Sequence, residues 1–422
     1  MKAVILAAGK GTRLYPLTDS TPKPILPVGG KPLIEWMFER LKEASVTEVL
    51  IVTNYLENMI KDRFGLGEKH GIQITYKTQK ETLGTADAFY QAADWVGGSD
   101  FLALYGDHYI KEGVLKRIKE AHIDGEATVA ALKVKDPSQY GAFAFDGEKI
   151  IKVVEKPPKG EEPSKFANVG IYVFPGKVFR YIEDTKKSPR GEYEITDTMQ
   201  LMIEDGVTHR MYEIKPGEWL DIGLPWNLLE ANTWAMEKLE HQVEGEVEPG
   251  ATLLQPVWVR KGARVRSGTY VEGPVILGED CDVGPNCYIR PFTCLGKGVR
   301  IGNACEIKNS IIMEGTHAAH LSYVGDSVIG KNCNLGAGTI TANLRFDKTN
   351  IEVTVKGERM DTGRKKLGVI FGDGVQTGVN VSLHPGVVAG SDAWIAPGVT
   401  VQRDVTEGTI KYMLPDLKER VR

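Results

Sequence analysis

A six-residue apolar period dominates the second half of this chain. Aliphatic side chains recur at every sixth position from Val247 to Met313, and the series resumes at Tyr323 and again at Phe371. This spacing is neither the 3.6-residue period of an α-helix nor the two-residue alternation of a half-buried strand. It is typical of a parallel β-helix built from hexapeptide repeats. The sequence therefore predicts such a coil over residues 247–406.

Two interruptions of this repeat are candidate functional segments, because the loops of a repeat protein carry function while its repeats carry stability. The first, residues 314–323, contains His317 and His320. The second, residues 342–368, is rich in Lys and Arg. A contact with the phosphates of a ligand and a solvated basic loop are both compatible with the second segment.

Packing inside the coil explains the positions of the cysteines without a metal-binding or redox role. They lie at positions 281, 287, 294, 305 and 333 and form no C-x-x-C pair. All but Cys294 stand at the fourth position after a repeat aliphatic, where other repeats have Ala or Thr. We therefore expect reduced cysteines packed inside the coil rather than a metal or redox site.

The first half alternates strand-like and helix-like segments. Strand-like apolar runs occupy residues 4–6, 49–53, 72–76, 101–105 and 128–134. Helical spacing is found at residues 33–41 and 86–95. This alternation predicts a mainly parallel α/β sheet with helices on both faces, whose ligands lie at the carboxyl ends of the strands.

Length and the change of pattern divide the 422 residues into domains. We expect an α/β domain over residues 1–224, a linking helix within 225–246, the coil over 247–406 and a tail over 407–422. The net charge of −4 gives no reason to expect nucleic acid or a membrane surface as partner. Without a signal peptide or a membrane-spanning apolar run, a cytoplasmic protein is expected.

A glycine turn follows the first strand-like run. Residues 6–13 read L-A-A-G-K-G-T-R, and residues 22–24 read P-K-P. The small side chains let a ligand approach backbone N–H groups, while Thr12, Arg13 and Lys23 add one hydroxyl and two cations. This set predicts binding of a nucleoside triphosphate. The P-loop pattern and the third glycine of the dinucleotide fingerprint are both missing from this stretch.

Further polar residues stand where strands are expected to end. Gln79, Gly84 and Thr85 suit recognition of a base edge. Asp107 and Asp221 follow apolar runs, where a carboxylate is costly unless a cation pairs with it, so they predict a Mg²⁺ site. This inventory suits the attack of a sugar phosphate oxygen on the α-phosphorus of a nucleoside triphosphate.

In combination, these motifs resemble the sugar-1-phosphate nucleotidylyltransferases, a likeness that covers residues 1–240. The resemblance implies a Rossmann-like fold with Arg13 and Lys23 as catalytic cations and Asp107 and Asp221 as Mg²⁺ ligands. The nucleotide-binding residues it implies are Leu6, Ala7, Ala8, Gly9, Gly11, Thr12, Gln79, Gly84, Thr85 and Gly106. The sugar-phosphate-binding residues it implies are Gly141, Glu155, Lys156 and Asn168.

The base preference stays open between UTP and dTTP. Bacterial uridylyltransferases of the bifunctional type usually have asparagine at the place of Asp221 and a shorter loop before Lys23. The motif from Trp219 to Gly223 is more similar to that of glucose-1-phosphate thymidylyltransferases.

The coil resembles the acetyltransferase half of bifunctional N-acetylglucosamine-1-phosphate uridylyltransferase/glucosamine-1-phosphate acetyltransferases. This likeness implies a left-handed β-helix, acetyl-CoA as co-substrate, and a homotrimer with the acetyl-transfer site between subunits. His320 would be the general base for the sugar amine, and Ala337 would contact acetyl-CoA. The sugar-phosphate-binding residues implied here are Arg290, Lys308, Tyr323, Asn334 and Asn343. The likeness assigns no role to His317.

We therefore predict a bifunctional enzyme that acetylates an amino-sugar 1-phosphate and joins the product to UTP, releasing pyrophosphate. One alternative is a thymidylyl- or uridylyltransferase acting on glucose 1-phosphate, with a coil that serves only assembly. The presence of His320, Arg290 and Lys308 disfavours it. Another alternative is a non-catalytic regulatory or scaffold subunit that binds nucleotide-sugars, which the intact set of cations and aspartates disfavours.

Overall fold

A computed structural model describes residues 1–413, so the last part of the predicted tail, 414–422, lies outside the described residues. The chain forms two compact units. The first comprises residues 1–10, 22–25 and 32–222. The second comprises residues 11–21, residues 26–31 and the chain from Gly223 onward.

A nine-stranded sheet forms the centre of the first unit. Its strands in chain order are β1 (Lys2–Ala7), β4 (Glu48–Thr53), β5 (Gln73–Thr78), β6 (Phe101–Tyr105), β8 (Ala127–Lys133), β9 (Gly141–Asp146), β10 (Lys149–Glu155), β11 (Phe166–Phe174) and β12 (His209–Ile214). Their order across the sheet is β5-β4-β1-β6-β11-β8-β12-β10-β9. A two-stranded sheet of β7 (His108–Ile110) and β13 (Trp219–Asp221) belongs to the same unit. Elsewhere in the chain, β2 (Pro27–Val28) pairs with β3 (Lys31–Pro32).

The prediction of a mainly parallel sheet is only partly right. Strands β5, β4, β1 and β6 are parallel neighbours, as expected for strands separated by helices. Strand β11 is antiparallel to β6 and β8, and β9 and β10 form a hairpin. Gly147 and Glu148 form the two-residue turn of that hairpin between the paired residues Asp146 and Lys149, and Gly147 at φ +60 takes the left-handed conformation that such a turn needs.

Helices cover both faces of this sheet, as predicted. They are α1 (Leu33–Glu43), α2 (Glu57–Phe64), α3 (Thr85–Tyr90), α4 (Ala93–Val96), α5 (Val114–Glu120), α6 (Val178–Asp184) and α7 (Ile195–Glu204). Alternation along β1 sends Ile5 into one core with α1, and Val4 into the other core with α3. Short 3₁₀ turns occupy Thr12–Leu14, Lys23–Ile25 and Glu68–His70.

Buried His209 gives the first unit a testable pH dependence. Its side chain is 1% exposed, and its Nδ1 lies 2.9 Å from the Val207 carbonyl oxygen. Burial lowers the pKa of His209 to about 4. Unfolding exposes the imidazole and restores its ordinary pKa of about 6.5, so the unfolded chain takes up a proton at a higher pH than the folded chain. His209 therefore leaves the free energy of unfolding unchanged above about pH 6.5 and lowers it by about 3 kcal/mol as pH drops to 4.

We expect His209→Gln to flatten this pH dependence. Glutamine keeps a polar side chain but takes up no proton in that range. The free energy of urea unfolding, measured between pH 7 and pH 4, should fall less steeply for the variant than for the wild type. Equal slopes for the two proteins would contradict the assignment.

The second unit contains a parallel β-helix with three faces. Apart from a hairpin at residues 352–361, consecutive strands from Gln242 to Val401 enter the first, second and third face in turn. The first face contains β14 (Gln242–Val243), β17 (Val257–Val259), β20 (Val275–Leu277), β23 (Thr293–Leu295), β26 (Ile311–Ile312), β29 (Val328–Ile329), β34 (Ile370–Phe371) and β37 (Val388–Ala389). The second contains β15 (Glu246–Val247), β18 (Arg264–Val265), β21 (Asp282–Val283), β24 (Arg300–Asn303), β27 (His317–His320), β30 (Asn334–Leu335), β35 (Gln376–Thr377), β38 (Trp394–Ile395) and β40 (Ile410–Lys411). The third contains β16 (Thr252–Leu254), β19 (Tyr270–Glu272), β22 (Tyr288–Ile289), β25 (Glu306–Lys308), β28 (Tyr323–Gly325), β31 (Ile340–Thr341), β36 (Ser382–Leu383) and β39 (Thr400–Val401).

The predicted first interruption of the repeat is wrong. The inward residues after Ile307 are Ile312, Ala318 and Val324, not Met313 and Tyr323, so the coil continues through residues 314–323. The register shifts because two steps, from Ile307 to Ile312 and from Val324 to Ile329, are each a residue short. At these tighter corners the hydroxyls of buried Ser310 and Ser327 donate to the carbonyl oxygens of Lys308 at 2.7 Å and of Gly325 at 2.8 Å. A strict count of six does not allow for such a step.

The second predicted interruption is real. Between β31 and β34 the chain leaves the coil and forms an antiparallel hairpin of β32 (Glu352–Val355) and β33 (Glu358–Asp361). The coil resumes without a gap, because β29 pairs directly with β34, and β31 with β36. Two of the basic residues are paired inside the segment, Arg345 with Asp347 and Arg359 with Glu352.

The cysteines are free and buried, as predicted. Cys281, Cys287, Cys305 and Cys333 belong to the core of the coil. Burial raises the pKa of Cys281, Cys287 and Cys333 to about 12, which suppresses the reactive thiolate. A helix, α8 (Asn227–Met236), lies within the segment 225–246, where a linking helix is predicted. Among residues 1–413, no helix combines the length and apolar character needed to cross a bilayer.

Candidate active sites

The glycine-rich end of β1 in the first unit leaves room for a ligand. A Cβ atom added to Gly9 would meet no protein atom within 4 Å. A Cβ atom on Gly106 would lie only 2.6 Å from the carbonyl oxygen of Leu6, so glycine is needed where β6 ends beside β1. Ala7 and Ala8 are buried at the same strand end. Space is therefore open beside Gly9, while Gly106 is required by the close approach of the two strand ends.

The predicted base-reading residues also lie close together. Gln79 follows β5 and is 3% exposed, and its side-chain amide donates to Asp87 Oδ2 at 2.7 Å and to the Gly84 carbonyl at 3.2 Å. A Cβ atom on Gly84 would lie 2.3 Å from the Tyr193 carbonyl oxygen. The Thr85 hydroxyl accepts the Ile195 N–H at 2.9 Å. These contacts fix the turn that precedes α3.

Three of the predicted sugar-site residues meet around Gly141. A Cβ atom there would lie 3.2 Å from Glu155 Oε2 and 3.3 Å from Asn168 Cβ. The Asn168 amide donates to the Tyr172 hydroxyl at 2.7 Å, and its oxygen accepts the Gly170 N–H at 3.1 Å. Lys156, the next residue after Glu155, is exposed and has a left-handed backbone with φ +42.

Sequence reasoning missed the partners of Glu155. Arg190 donates to Glu155 Oε1 at 3.1 Å and to Glu194 at 2.6 Å, and the Thr196 hydroxyl donates to Glu155 Oε2 at 3.2 Å. Burial, then the charge of Glu194, raise the pKa of Glu155, while Arg190 opposes that rise. These partners could not be recognised from the sequence, because residues 190–196 come beside β10 only when the chain folds.

The two predicted metal ligands converge. Antiparallel pairing of β7 with β13 sets Asp221 opposite His108, beside Asp107. Ligand atoms of Asp107, His108 and Asp221 all lie within 4.8 Å of one another. Lys23 Nζ lies 2.5 Å from Asp107 Oδ2, and the Lys23 side chain is 9% exposed. The fold therefore collects a cation and two carboxylates at the end of β6.

These donors fit Mg²⁺, which takes oxygen ligands and is usually held by one or two carboxylates together with substrate phosphates. His108, which sequence reasoning missed, suits a supporting role better than that of a ligand. Its ring packs edge-on against Trp219 with centroids 5.0 Å apart, and its Nε2 lies 3.2 Å from Asp107 Oδ1. Burial lowers the pKa of His108, although Asp107 opposes that shift.

Gly11, Thr12 and Arg13 belong to the second unit. Gly11 has a left-handed φ of +64, and its carbonyl oxygen accepts the Leu14 N–H at 2.8 Å and the Thr18 hydroxyl at 2.9 Å. The side chains of Thr12 and Arg13 are exposed. The turn therefore presents both predicted phosphate-binding side chains to solvent.

A second candidate site lies on the third face of the coil. Arg290 and Lys308 follow one another on adjacent coils and line a cleft of about 410 Å³. The other residues that line it are Thr233, Glu272, Pro291, Phe292 and Asn309. Two adjacent cations at the wall of a cleft suit a phosphate group.

Asp326, which sequence reasoning missed, connects the predicted residues of this site. Its side chain is buried and accepts hydrogen bonds from Lys308 Nζ at 3.1 Å, Asn309 at 2.7 Å and Asn343 at 2.5 Å. The Asn343 amide also donates to the Tyr323 hydroxyl at 3.0 Å. Arg290 pairs instead with Glu306 at 2.8 Å. A buried acid thus binds two of the predicted sugar-phosphate residues, Lys308 and Asn343, and holds Tyr323 through Asn343.

Replacing Asp326 by asparagine should lower the free energy of unfolding by about 3 kcal/mol, because Lys308 is left without its buried counter-charge. The KM for the amino-sugar 1-phosphate should rise, since Lys308 and Asn343 lose their shared acceptor. Asp280→Asn is a matched control: Asp280 has a similar left-handed φ of +57 but an exposed side chain. Equal stability of the two variants would contradict this role for Asp326.

Of the remaining acetyl-site residues, His320 and Asn334 lie on the second face, and Ala337 lies in the turn that leads from it to the third face. His320 ends β27 with an exposed side chain and does not line the cleft. Asn334 pairs in register with His317 on the neighbouring coil. The carbonyl oxygen of Ala337 accepts the Asn380 N–H at 2.7 Å. Within one chain, the predicted general base and the phosphate-binding cations therefore stand on adjacent faces of the coil.

Comparison with known proteins identifies the family. The nucleotidyl transferase family matches residues 2–238, and the GMPPB C-terminal domain family matches residues 271–405. The "Bifunctional protein GlmU" of Methanocaldococcus jannaschii is 40% identical over 420 residues, covering 99% of this chain and 98% of the relative. The chain belongs to the bifunctional GlmU family. The resemblance inferred from its motifs is thereby confirmed.

Other members and relatives of the GlmU family agree. The "Bifunctional sugar-1-phosphate nucleotidylyltransferase/acetyltransferase" of Sulfurisphaera tokodaii is 40% identical, covering 97% of this chain and 99% of the relative. A crystal structure of a putative glucose-1-phosphate thymidylyltransferase from Bacillus anthracis, in complex with a sucrose, is 35% identical with a TM-score of 0.52. It covers 56% of this chain and 96% of that chain. This GlmU-family chain therefore has a nucleotidyltransferase domain with a Rossmann-like fold.

Proposed function

We propose that this protein carries out two consecutive reactions on an amino-sugar 1-phosphate. The coil acetylates glucosamine 1-phosphate, or a related amino-sugar 1-phosphate, with acetyl-CoA. The first unit then transfers a uridylyl group from UTP to N-acetylglucosamine 1-phosphate, giving UDP-N-acetylglucosamine and pyrophosphate. The observation that carries the proposal is the pair of separate charged clusters, Lys23 with two aspartates and Lys308 with Asp326, in a chain of a bifunctional family.

In the uridylyl transfer, a phosphate oxygen of the sugar phosphate attacks the α-phosphorus of UTP, and the bond to pyrophosphate breaks. Lys23 and Arg13 stabilise negative charge on the phosphates. Asp107 and Asp221 would hold a Mg²⁺ ion, which supplies further charge stabilisation when bound. Glu155 and Asn168 orient the sugar, while Gly9 and Gly106 leave room for the nucleotide beside the β1 backbone.

In the acetyl transfer, the sugar amine attacks the thioester carbonyl of acetyl-CoA. A carbon–nitrogen bond forms, the carbon–sulfur bond breaks, and His320 takes a proton from the amine and returns it to the leaving thiolate. Arg290 and Lys308 bind the sugar phosphate, with Tyr323, Asn334 and Asn343 around the sugar and Ala337 beside acetyl-CoA.

We further propose that the β-helix is left-handed and that the protein forms a homotrimer through it. His320 and the Arg290–Lys308 cleft occupy different faces of one chain, which supports a site completed by a neighbouring subunit. In functional terms we divide the chain into a nucleotidylyltransferase domain over 1–224, a linking segment over 225–246, the acetyltransferase coil over 247–406 and a tail over 407–422.

One experiment tests both activities. The purified protein is incubated with Mg²⁺, a panel of sugar 1-phosphates and the four nucleoside triphosphates, with and without acetyl-CoA, while pyrophosphate and free thiol are measured. Thiol release with glucosamine 1-phosphate and pyrophosphate release with N-acetylglucosamine 1-phosphate are expected. Absence of thiol release overturns the acetyltransferase proposal. Absence of both products overturns the proposal that the protein is an enzyme.

A single activity toward glucose 1-phosphate is the second candidate, and dTTP or UTP would then be the nucleotide. The similarity to the Bacillus anthracis structure favours it, because that protein's title names a putative glucose-1-phosphate thymidylyltransferase. In the same panel this alternative gives pyrophosphate with glucose 1-phosphate and dTTP or UTP, and no thiol from any sugar.

A further inference from the structure

The segment of residues 11–21, called here the signature loop, belongs to the same compact unit as the β-helix. Its side chains divide by exposure. Thr12 and Arg13 are exposed, whereas Leu14, Leu17 and Thr21 are at most 3% exposed. The loop is therefore packed along one side and presents its predicted phosphate-binding residues on the other.

Polar contacts hold the second half of the signature loop to one corner of the coil. Lys331 Nζ donates to the Thr21 hydroxyl at 2.7 Å. On the next coil, Asp373 accepts the Ser20 hydroxyl at 2.5 Å through one oxygen and the backbone N–H of Lys331 at 2.7 Å through the other. Asp373 thus fixes both the loop and the residue that binds the loop.

The first half of the signature loop lies against the same corner. A Cβ atom added to Gly372 would lie 3.0 Å from Pro16 Cβ, and one added to Gly390 would lie 2.8 Å from the Tyr15 hydroxyl. The Tyr15 hydroxyl is also 3.4 Å from Glu407 Oε2. Gly330, Gly372 and Gly390 succeed each other on stacked coils, because each N–H bonds to the coil that follows.

We infer that this corner of the β-helix, through Lys331 and Asp373, positions the signature loop for binding the nucleoside triphosphate. The inference rests on the proposed function of the first unit and adds a role for the coil in nucleotidyl transfer. Lys331 and Asp373 act as positioning residues, because they hold Ser20 and Thr21 in a loop whose Thr12 and Arg13 side chains stay exposed. A loop fixed before binding loses less conformational entropy when the triphosphate arrives.

Lys331→Met tests the inference, because methionine keeps an unbranched side chain only one atom shorter and removes the hydrogen bond to Thr21. We expect a roughly tenfold higher KM for the nucleoside triphosphate, the size expected when a hydrogen bond to a charged group is lost. The KM for acetyl-CoA and the rate of thiol release should stay at the wild-type values. A general loss of folded protein would instead lower both maximal rates and leave the KM values unchanged.

Lys297→Met is the matched control. Lys297 occupies the equivalent corner position two coils earlier, where its 58% exposed side chain lies 3.7 Å or more from Glu279 and Asp280. Thr21→Val completes a double-mutant cycle with Lys331→Met. If the two residues act through one hydrogen bond, the double variant should be no worse than the more damaging single variant.

The outcomes separate this inference from the proposed function. A wild-type protein that neither releases pyrophosphate nor binds UTP or dTTP at equilibrium overturns the proposed function, and the inference with it. A wild type that binds or turns over nucleotide, together with a Lys331→Met variant whose KM and Kd lie within twofold of it, overturns the inference alone. The inference is also overturned if the factors by which the two single substitutions raise the KM multiply in the double variant, because Lys331 and Thr21 then act independently.

Discussion

His320→Ala is expected to abolish thiol release from acetyl-CoA and leave pyrophosphate release unchanged. A positioned general base contributes roughly 10²–10⁴-fold to rate, so the loss should reach at least the lower end of that range. Selectivity for one activity follows from the fold, because His320 lies on β27 of the coil while Lys23, Asp107 and Asp221 lie in the first unit. Free thiol and pyrophosphate are measured on the same preparation.

His317→Ala is the matched control for this experiment. His317 is exposed on the same strand, three residues before His320, and it pairs in register with Asn334. We expect His317→Ala to keep the wild-type rate of acetyl transfer. Equal losses in the two variants would mean that the strand, rather than the imidazole of His320, is needed. Loss of pyrophosphate release in His320→Ala would contradict the independence of the two activities.

Asp107→Asn should lower the rate of pyrophosphate release by roughly 10²-fold or more, because it removes a carboxylate that would hold Mg²⁺ at the reacting phosphates. Lys23 loses its ion-pair partner in the same change. We also expect a higher Mg²⁺ concentration at half-maximal rate. Thiol release should be unaffected, and titration of the rate with Mg²⁺ at saturating substrates provides the measurement.

Asp124→Asn is a control for Asp107→Asn. Asp124 also belongs to a group of two aspartates and a histidine, Asp100, His122 and Asp124, whose ligand atoms lie within 4.8 Å of one another. That group is not part of the proposed mechanism, so the variant should keep the wild-type rate and Mg²⁺ dependence. An Asp107→Asn variant with wild-type Mg²⁺ dependence would remove Asp107 from the metal site.

The sequence predicted the coil well because most aliphatic residues of the repeat are the residues that face into the coil. It failed between Ile307 and Val324, where a shorter corner closed by buried Ser310 shifts the register by one residue. A regular period contains no signal for such a step. The consequence was an interruption placed at residues 314–323, where the structure has an ordinary strand with His320 on it.

In the first half, strand and helix positions followed from apolar spacing, but the pairing of strands did not. Four strands separated by helices are parallel, as predicted, whereas β9, β10 and β11 add antiparallel neighbours. Gly147 was a usable signal for the hairpin. The position of β11 between β6 and β8 depends on contacts far apart in the chain, which spacing does not report.

Motif spacing found side chains expected to touch substrate, and it missed those that hold such side chains in place. Asp326, Arg190 and Lys331 each act through a neighbour that is distant in sequence. Taken singly, each looks like an ordinary charged residue. Their partners become visible only after the coil stacks or β10 meets residues 190–196.

The hairpin of β32 and β33 has a consequence for how this chain tolerates change in length. The corner between the third and first faces is usually crossed by two residues, as from Leu254 to Val257 and from Glu272 to Val275. At residues 342–369 the same corner is crossed by a long excursion, yet the rungs on either side stack as though nothing intervened. The pairing of successive rungs therefore does not depend on how many residues the chain uses to cross this corner.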